Sequence, residues 1–145
     1  MKEPPKTLRK VAIFDIDGTI FRSSLLIEIV EVLIELELFP GEVREQYEKE
    51  KMRWLDRKGD YEAYIMAVVG VFIKNIKWVS YDDFLRAGRL VVERYRHRTY
   101  VFTEALIKDL KEQGYFLLAV SHSPKGILDL FCKELGFDKV YGKLY

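Results

Sequence analysis

The sequence is poor in several things that would otherwise define a class. Of 145 residues one is cysteine, two are histidine, four are proline and two are tryptophan. A single cysteine, Cys132, excludes an internal disulfide framework and any zinc site built from several thiolates. It reads as a buried thiol on a helix. An excess of one charge sign is also lacking: 24 Lys and Arg face 23 Asp and Glu, a net charge of +1. That balance gives no support for nucleic acid or an anionic membrane as the main partner. Long apolar runs are missing too. The greasiest stretch, Leu25 to Phe39, is broken by Glu28, Glu31, Glu35 and Glu37. It falls short of the roughly 18 uninterrupted apolar residues of a membrane-spanning helix. The basic start, MKEPPKTLRK, leads into only Val11 to Phe14 before Asp15 intervenes. This is too short for a secretory signal, so a cytoplasmic location is expected.

What is present reads as globular. Hydrophobic residues make up 49% and charged residues 32%, which argues against disorder. A chain near this length buries roughly 68–70% of its unfolded surface. One domain, or a small core with an insert, can therefore fold without a disulfide or structural metal. No internal repeat or low-complexity segment is visible.

Two kinds of segment alternate. VAIFDI (11–16) and YFLLAV (115–120) are short, apolar runs like buried parallel strands, and Val140-Tyr141 could open a third. Between the first two, the pattern is helical. Glu28, Glu31 and Glu35 share one stripe of a helix over 24–38, which Pro40-Gly41 ends. Helices are expected over 42–57, 61–74 and 81–96, with Asp82 and Asp83 suiting the start of the last. An amphipathic helix over 102–113 ends at Gly114, and another over 124–135 ends at Gly136. Helix, strand, helix, strand is the rhythm of an α/β parallel sheet. The expected organisation is an α/β core from 1–21 and 101–145, with a helical insert over 22–100.

The chemistry concentrates at the end of the first strand. Side chains two apart on a strand point the same way, so Asp15 and Asp17 can converge. They sit at the carboxyl end of a buried strand, where open α/β sheets bind ligands. Two carboxylates there repel unless a cation joins them, and Mg²⁺ is the natural choice beside a phosphate substrate. Gly18 permits a sharp exit from the strand. The Thr19 hydroxyl can hold a carboxylate or a phosphoryl oxygen.

The stretch DIDGT after an apolar strand resembles the first motif, DxDGT, of the haloacid dehalogenase-like (HAD) superfamily. Leu117 to Val120 followed by Ser121 resembles its second motif. Ser121-His122-Ser123-Pro124 is similar to the turn of the phosphoserine-phosphatase-like branch. The helical insert matches a cap of the C1 type, so the resemblance covers essentially the whole chain. It implies a Rossmann-like parallel sheet with an inserted all-helical cap. It implies Asp15 as the nucleophile that forms an aspartyl-phosphate and Asp17 as the general acid and base. Magnesium would be bound by the Asp15 carboxylate and the main-chain carbonyl of Asp17. Ser121 would hold a phosphoryl oxygen, with Gly18, Thr19 and His122 around the phosphate. Locally, Ser123 suits a helix N-cap and Pro124 the first helical position, which would turn a helix N-terminus toward the anion.

The family's later motifs, a Lys and an acidic pair that completes the metal site, have no match. Asp129 and Asp138 stand alone after Ser121, and Lys125 and Lys143 lie outside the motif's place. The expectation is the N-terminal part of a Mg²⁺-dependent phosphatase for a small phosphorylated metabolite, with a partial sheet that an oligomer or partner chain completes. Two alternatives stand beside it: a phosphotransferase or mutase, and a non-catalytic module that binds phosphate or a partner. The run Arg94-Tyr95-Arg96-His97-Arg98 reads as a solvated helix end. Trp54, Tyr61, Tyr64, Phe72 and Trp78 read as cap core.

Overall fold

The computed structural model describes residues 8–145; residues 1–7, most of the basic start on which the absence of a signal peptide was read, lie outside it. Three parallel strands form one sheet in the order β1-β2-β3. They are β1 (Val11–Phe14), β2 (Phe116–Pro124) and β3 (Lys139–Lys143). Between β1 and β2 come α1 (Leu25–Glu35), a 3₁₀ turn (Gly41–Arg44), α2 (Glu45–Leu55), α3 (Tyr61–Ile76), α4 (Tyr81–Tyr95) and α5 (Val101–Glu112), and α6 (Lys125–Glu134) joins β2 to β3. This is an α/β fold, as the segment rhythm predicts.

Local chemistry sets the element ends. At α4 the Ser80 hydroxyl caps the helix by accepting the Asp83 N–H at 3.1 Å and also donates to the Asp83 carboxylate at 2.8 Å. Asp60 caps α3 by accepting the Ala63 N–H at 2.7 Å. Cross-helix pairs tie the helical region together. Arg94 meets Glu35 at 2.6 Å, Arg98 meets Glu28 at 2.9 Å and Arg96 meets Glu134 at 3.5 Å. The arginine run is thus more than a solvated helix end, since Arg94 and Arg98 reach α1 and Arg96 reaches α6.

One cluster of buried side chains runs from the sheet into the helical layer. It includes Ile16, Ile20, Phe21, Leu25, Phe72, Leu117, Phe131 and Cys132. Helices α4 and α6 approach closely where two glycines face the opposite helix. A Cβ at Gly126 would lie 2.8 Å from the Phe84 ring, and one at Gly88 would lie 3.1 Å from Leu130. Side chains at those positions would push the helices apart. Of the five aromatics expected in the cap core, Tyr64 and Phe72 are buried there, whereas Trp78 is exposed. Trp54 and Tyr61 are both partly exposed and pack edge-to-face at 5.4 Å.

The sheet is covered unequally. Leu117, Ala119 and Ser121 alternate along β2 on a buried face, which α1, α5 and α6 approach. The opposite face carries Val11 (47% exposed), Ile13 (68%), Val120 (44%) and Tyr141 (54%). Register places these together, since Val11 pairs with Phe116, Ile13 with Leu118 and Val120 with Tyr141. Parallel sheets are ordinarily covered on both faces, and β1 is an edge strand among the described residues. We therefore expect the 145-residue chain to self-associate as its concentration rises, and Ile13→Lys to suppress this. Size-exclusion chromatography over a concentration series checks it; a constant monomer peak for the parent chain contradicts it.

Candidate active site

After Phe14 the chain leaves the sheet through a tight, internally bonded loop. The N–H groups of Thr19, Ile20 and Phe21 all donate to the Ile16 carbonyl, at 3.2, 2.9 and 2.9 Å. The Gly18 N–H donates to the Phe21 carbonyl at 2.8 Å. Gly18 adopts φ +77°, the left-handed region where a Cβ is strained. Ile16, Ile20 and Phe21 are fully buried beneath the loop and anchor it. The apolar residues interleaved with Asp15, Asp17 and Thr19 therefore fix where the polar ones point.

The two aspartates have different surroundings. One oxygen of Asp17 accepts the N–H of Leu25, the first residue of α1, at 2.6 Å. Its other oxygen accepts the hydroxyls of Ser121 at 2.6 Å and Ser123 at 2.8 Å. Asp17 so joins β1, β2 and the N-terminus of α1, where a carboxylate also gains from the helix dipole. It does the capping that Ser24, the residue before α1, does not do with its own side chain. Asp15 is exposed, and its carboxylate accepts the Thr19 hydroxyl at 2.8 Å.

Two cavities meet here. A small one of about 450 Å³ is lined by Ile13, Phe14, Asp15, Asp17, Val120, Ser121 and His122. A larger one of about 940 Å³ extends from Asp17, Gly18, His122 and Ser123 into the helical layer. Asp17 and His122 border both. The residues singled out in the sequence, Asp15, Asp17, Gly18, Thr19, Ser121 and His122, thus gather at the carboxyl ends of β1 and β2.

Ser123 is not the N-cap of α6: that position is Pro124, without a side-chain cap, and β2 stays extended through it. The Ser123 hydroxyl turns to Asp17 instead. The S-x-S spacing held the signal, because residues two apart on a strand share a face. The candidate stand-ins for the later motifs separate. Lys125 pairs with Asp129 at 2.6 Å. Asp138 accepts the Leu117 N–H at 2.7 Å, at the opposite end of β2. Lys143 lines the large cavity.

Burial raises the Tyr61 phenol above its ordinary value and the Asp17 charge adds to this, opposed by a hydrogen bond with Ser24. The neutral hydroxyl is thereby kept beside the loop. Cys132 is pushed up to about 12, by burial first and then by Asp129 and Asp17. Cys132 is fully buried in the core cluster, as a packing residue is.

A family model for haloacid dehalogenase-like hydrolases matches residues 9–145. The chain belongs to that family. Among solved structures, a protein of unknown function from Bordetella pertussis Tohama I shares the fold, with a TM-score of 0.66 at 14% identity over 94% of this chain and 60% of that one. A phospho-aspartyl intermediate analogue of phosphoserine phosphatase gives 0.46 at 20% identity, over 92% of this chain and 56% of that one. A magnesium-bound HAD-hydrolase from Bacillus subtilis gives 0.44 at 14% identity, over 92% and 63%. The chain thus spans about three-fifths of the length of these structures. No curated protein matches it.

Among the described residues no three His, Cys, Asp or Glu side chains come together to hold a metal. The exposed Asp15 carboxylate and the Asp17 carbonyl are hard oxygen donors of the kind Mg²⁺ takes, and Mg²⁺ commonly keeps waters and substrate phosphate as its remaining ligands. The residues present so fit one side of such a site. Among the described residues no helix is long and apolar enough to cross a membrane.

Proposed function

We propose that the protein is a Mg²⁺-dependent phosphatase that hydrolyses a small phosphomonoester through an aspartyl-phosphate. The observation that carries this reading is the contrast between two carboxylates two residues apart. Asp15 is exposed to a cavity with a single hydroxyl donor, whereas Asp17 is immobilised by Ser121, Ser123 and Leu25. An open carboxylate suits attack, and a fixed one suits repeated proton transfer at one position.

The chain's own groups divide the work as follows. An Asp15 oxygen attacks phosphorus, and the bond from phosphorus to the ester oxygen breaks. Asp17 delivers its proton to that departing oxygen. It then takes a proton from the water that attacks the phosphorus of the acyl phosphate, which frees inorganic phosphate and restores Asp15. Thr19 orients Asp15 through its hydroxyl. Ser121 and Ser123 hold Asp17 in line. When bound, Mg²⁺ supplies charge neutralisation for the phosphoryl oxygens.

The test is release of inorganic phosphate from p-nitrophenyl phosphate. Activity is expected with Mg²⁺, to vanish with EDTA and to return on adding Mg²⁺ in excess. Hydrolysis unchanged by EDTA contradicts the metal dependence. No release at any Mg²⁺ concentration contradicts the phosphatase reading for this chain.

A further inference from the structure

We infer that the large cavity favours phosphomonoesters whose alcohol half is a bulky aromatic or apolar group over esters of small polar alcohols. The inference rests on the phosphatase reading for the place of the phosphate. The character of the far end stands on its own. Polar groups that line the cavity include Arg22, Ser23, Ser24, His122, Ser123 and Lys143. The Tyr61 hydroxyl, beside Asp17 and Ser24, marks where the lining changes. Tyr61, Ile65 and Val69, four residues apart, form one stripe of α3 along the cavity. Leu26 and Ile27 of α1 and Trp54 of α2 complete the apolar walls.

Charges in that outer part are already spoken for. Glu28 accepts the Ser23 hydroxyl at 2.8 Å and Arg98 at 2.9 Å. Glu31 accepts Arg44 at 2.7 and 3.1 Å and the Tyr47 hydroxyl at 2.7 Å. Burial alone would raise the Glu31 carboxyl, yet these donors and the nearby Lys51 bring it below the usual glutamate range. Lys51 stands 3.8 Å from both Glu31 and Glu48. A substrate ammonium group would need a carboxylate without a partner, and both carboxylates here have internal cations. Lys51 lies between two glutamates, whereas Arg22 and Lys143 on the same lining have no carboxylate partner among the described residues. A substrate ammonium group would therefore be desolvated without compensation. An apolar ring would lose nothing by entering and would gain from burial against Trp54, Tyr61 and Ile65.

The size agrees. At about 940 Å³ the cavity lies in the range of sites that enclose a drug-sized ligand. It is much larger than a three-carbon headgroup requires.

The experiment compares 1-naphthyl phosphate, O-phosphoserine and inorganic phosphate by isothermal titration calorimetry with Mg²⁺ present. The full parent chain is used and the two esters are supplied as their non-hydrolysable methylenephosphonate analogues, which prevents turnover and leaves Asp15 in place. Naphthyl phosphate is expected to bind on the order of 10- to 100-fold tighter than phosphoserine. Trp54→Ala, at a partly exposed position where folding is little affected, should remove most of that difference and leave inorganic phosphate binding unchanged. The inference is overturned by equal or tighter binding of phosphoserine, by no binding of naphthyl phosphate, or by indifference to Trp54→Ala. Failure of the phosphatase reading looks different. In that case the naphthyl analogue binds as expected but the parent protein releases no phosphate from 1-naphthyl phosphate itself.

Discussion

Replacement of Asp15 by asparagine is expected to reduce Mg²⁺-dependent hydrolysis of an aryl phosphate by a factor on the order of 10⁴ or more, with folding preserved. The two halves of that expectation come from different features. An amide oxygen is a poor nucleophile and cannot carry the covalent phosphoryl group that hydrolysis then resolves. Asp15 is also exposed, and its side chain makes a single hydrogen bond, to Thr19. A substitution there costs roughly 0.5 kcal/mol or less. Circular dichroism and thermal melting should show a native protein whose steady-state rate has collapsed. Full retention of activity removes Asp15 from the role of nucleophile. Asp17→Asn is a less clean companion, because Asp17 accepts from two hydroxyls and from the N–H of Leu25. An amide nitrogen facing Leu25 would set donor against donor, and one facing the serines would force both hydroxyls to turn and accept.

Phe21→Ala should be the most damaging single truncation near the site. Phe21 is 0% exposed and packs edge-to-face on Phe131 of α6 at 5.1 Å. Removing a buried phenyl ring costs about 3–5 kcal/mol through lost transfer energy and the cavity left behind. Typical domains have about 5–15 kcal/mol in total, so the melting temperature should fall by roughly 6–20 °C. The damage should extend to the loop, because Phe21 accepts the Gly18 N–H and bridges to Thr99 through its main chain. Urea denaturation measures the loss. Phe102→Ala is the control, since that ring is 76% exposed on α5 and should change stability little. A difference below about 1 kcal/mol between Phe21→Ala and the parent chain would contradict the packing described.

The elements with strong local signals were legible in the sequence. VAIF is apolar and β-branched and forms β1; glutamates spaced three and four apart mark the polar stripe of α1. Ser121 to Pro124 reads as a turn because its residues favour caps, yet it continues β2. The reason is a tertiary contact that sequence proximity hides, since Asp17 lies more than 100 positions from the serines that hold it. Asp15 and Asp17 were legible as a pair, but their division into an open and a fixed carboxylate was not. That division depends on where α1 and β2 arrive. Trp54 and Tyr61 were expected in the core because aromatic residues usually are. They border a cavity instead, and nothing in their immediate sequence distinguishes the two fates. The arginine run looked solvated because its acidic partners, Glu28, Glu35 and Glu134, lie on other helices.

The close contact of α4 with α6 bears on how a ligand would come and go. Phe84 rests against Gly126 and Leu130 against Gly88, a fit with no slack to give. Swinging the helical layer away as a rigid body would tear this contact and expose the cluster it shares with the sheet. The outer rim of the large cavity is built differently: Trp54 and Met66 are both partly exposed there. Exposed side chains change rotamer in picoseconds to nanoseconds, whereas domain hinges move in microseconds to milliseconds. A route past these exposed rim side chains would leave the α4–α6 contact intact.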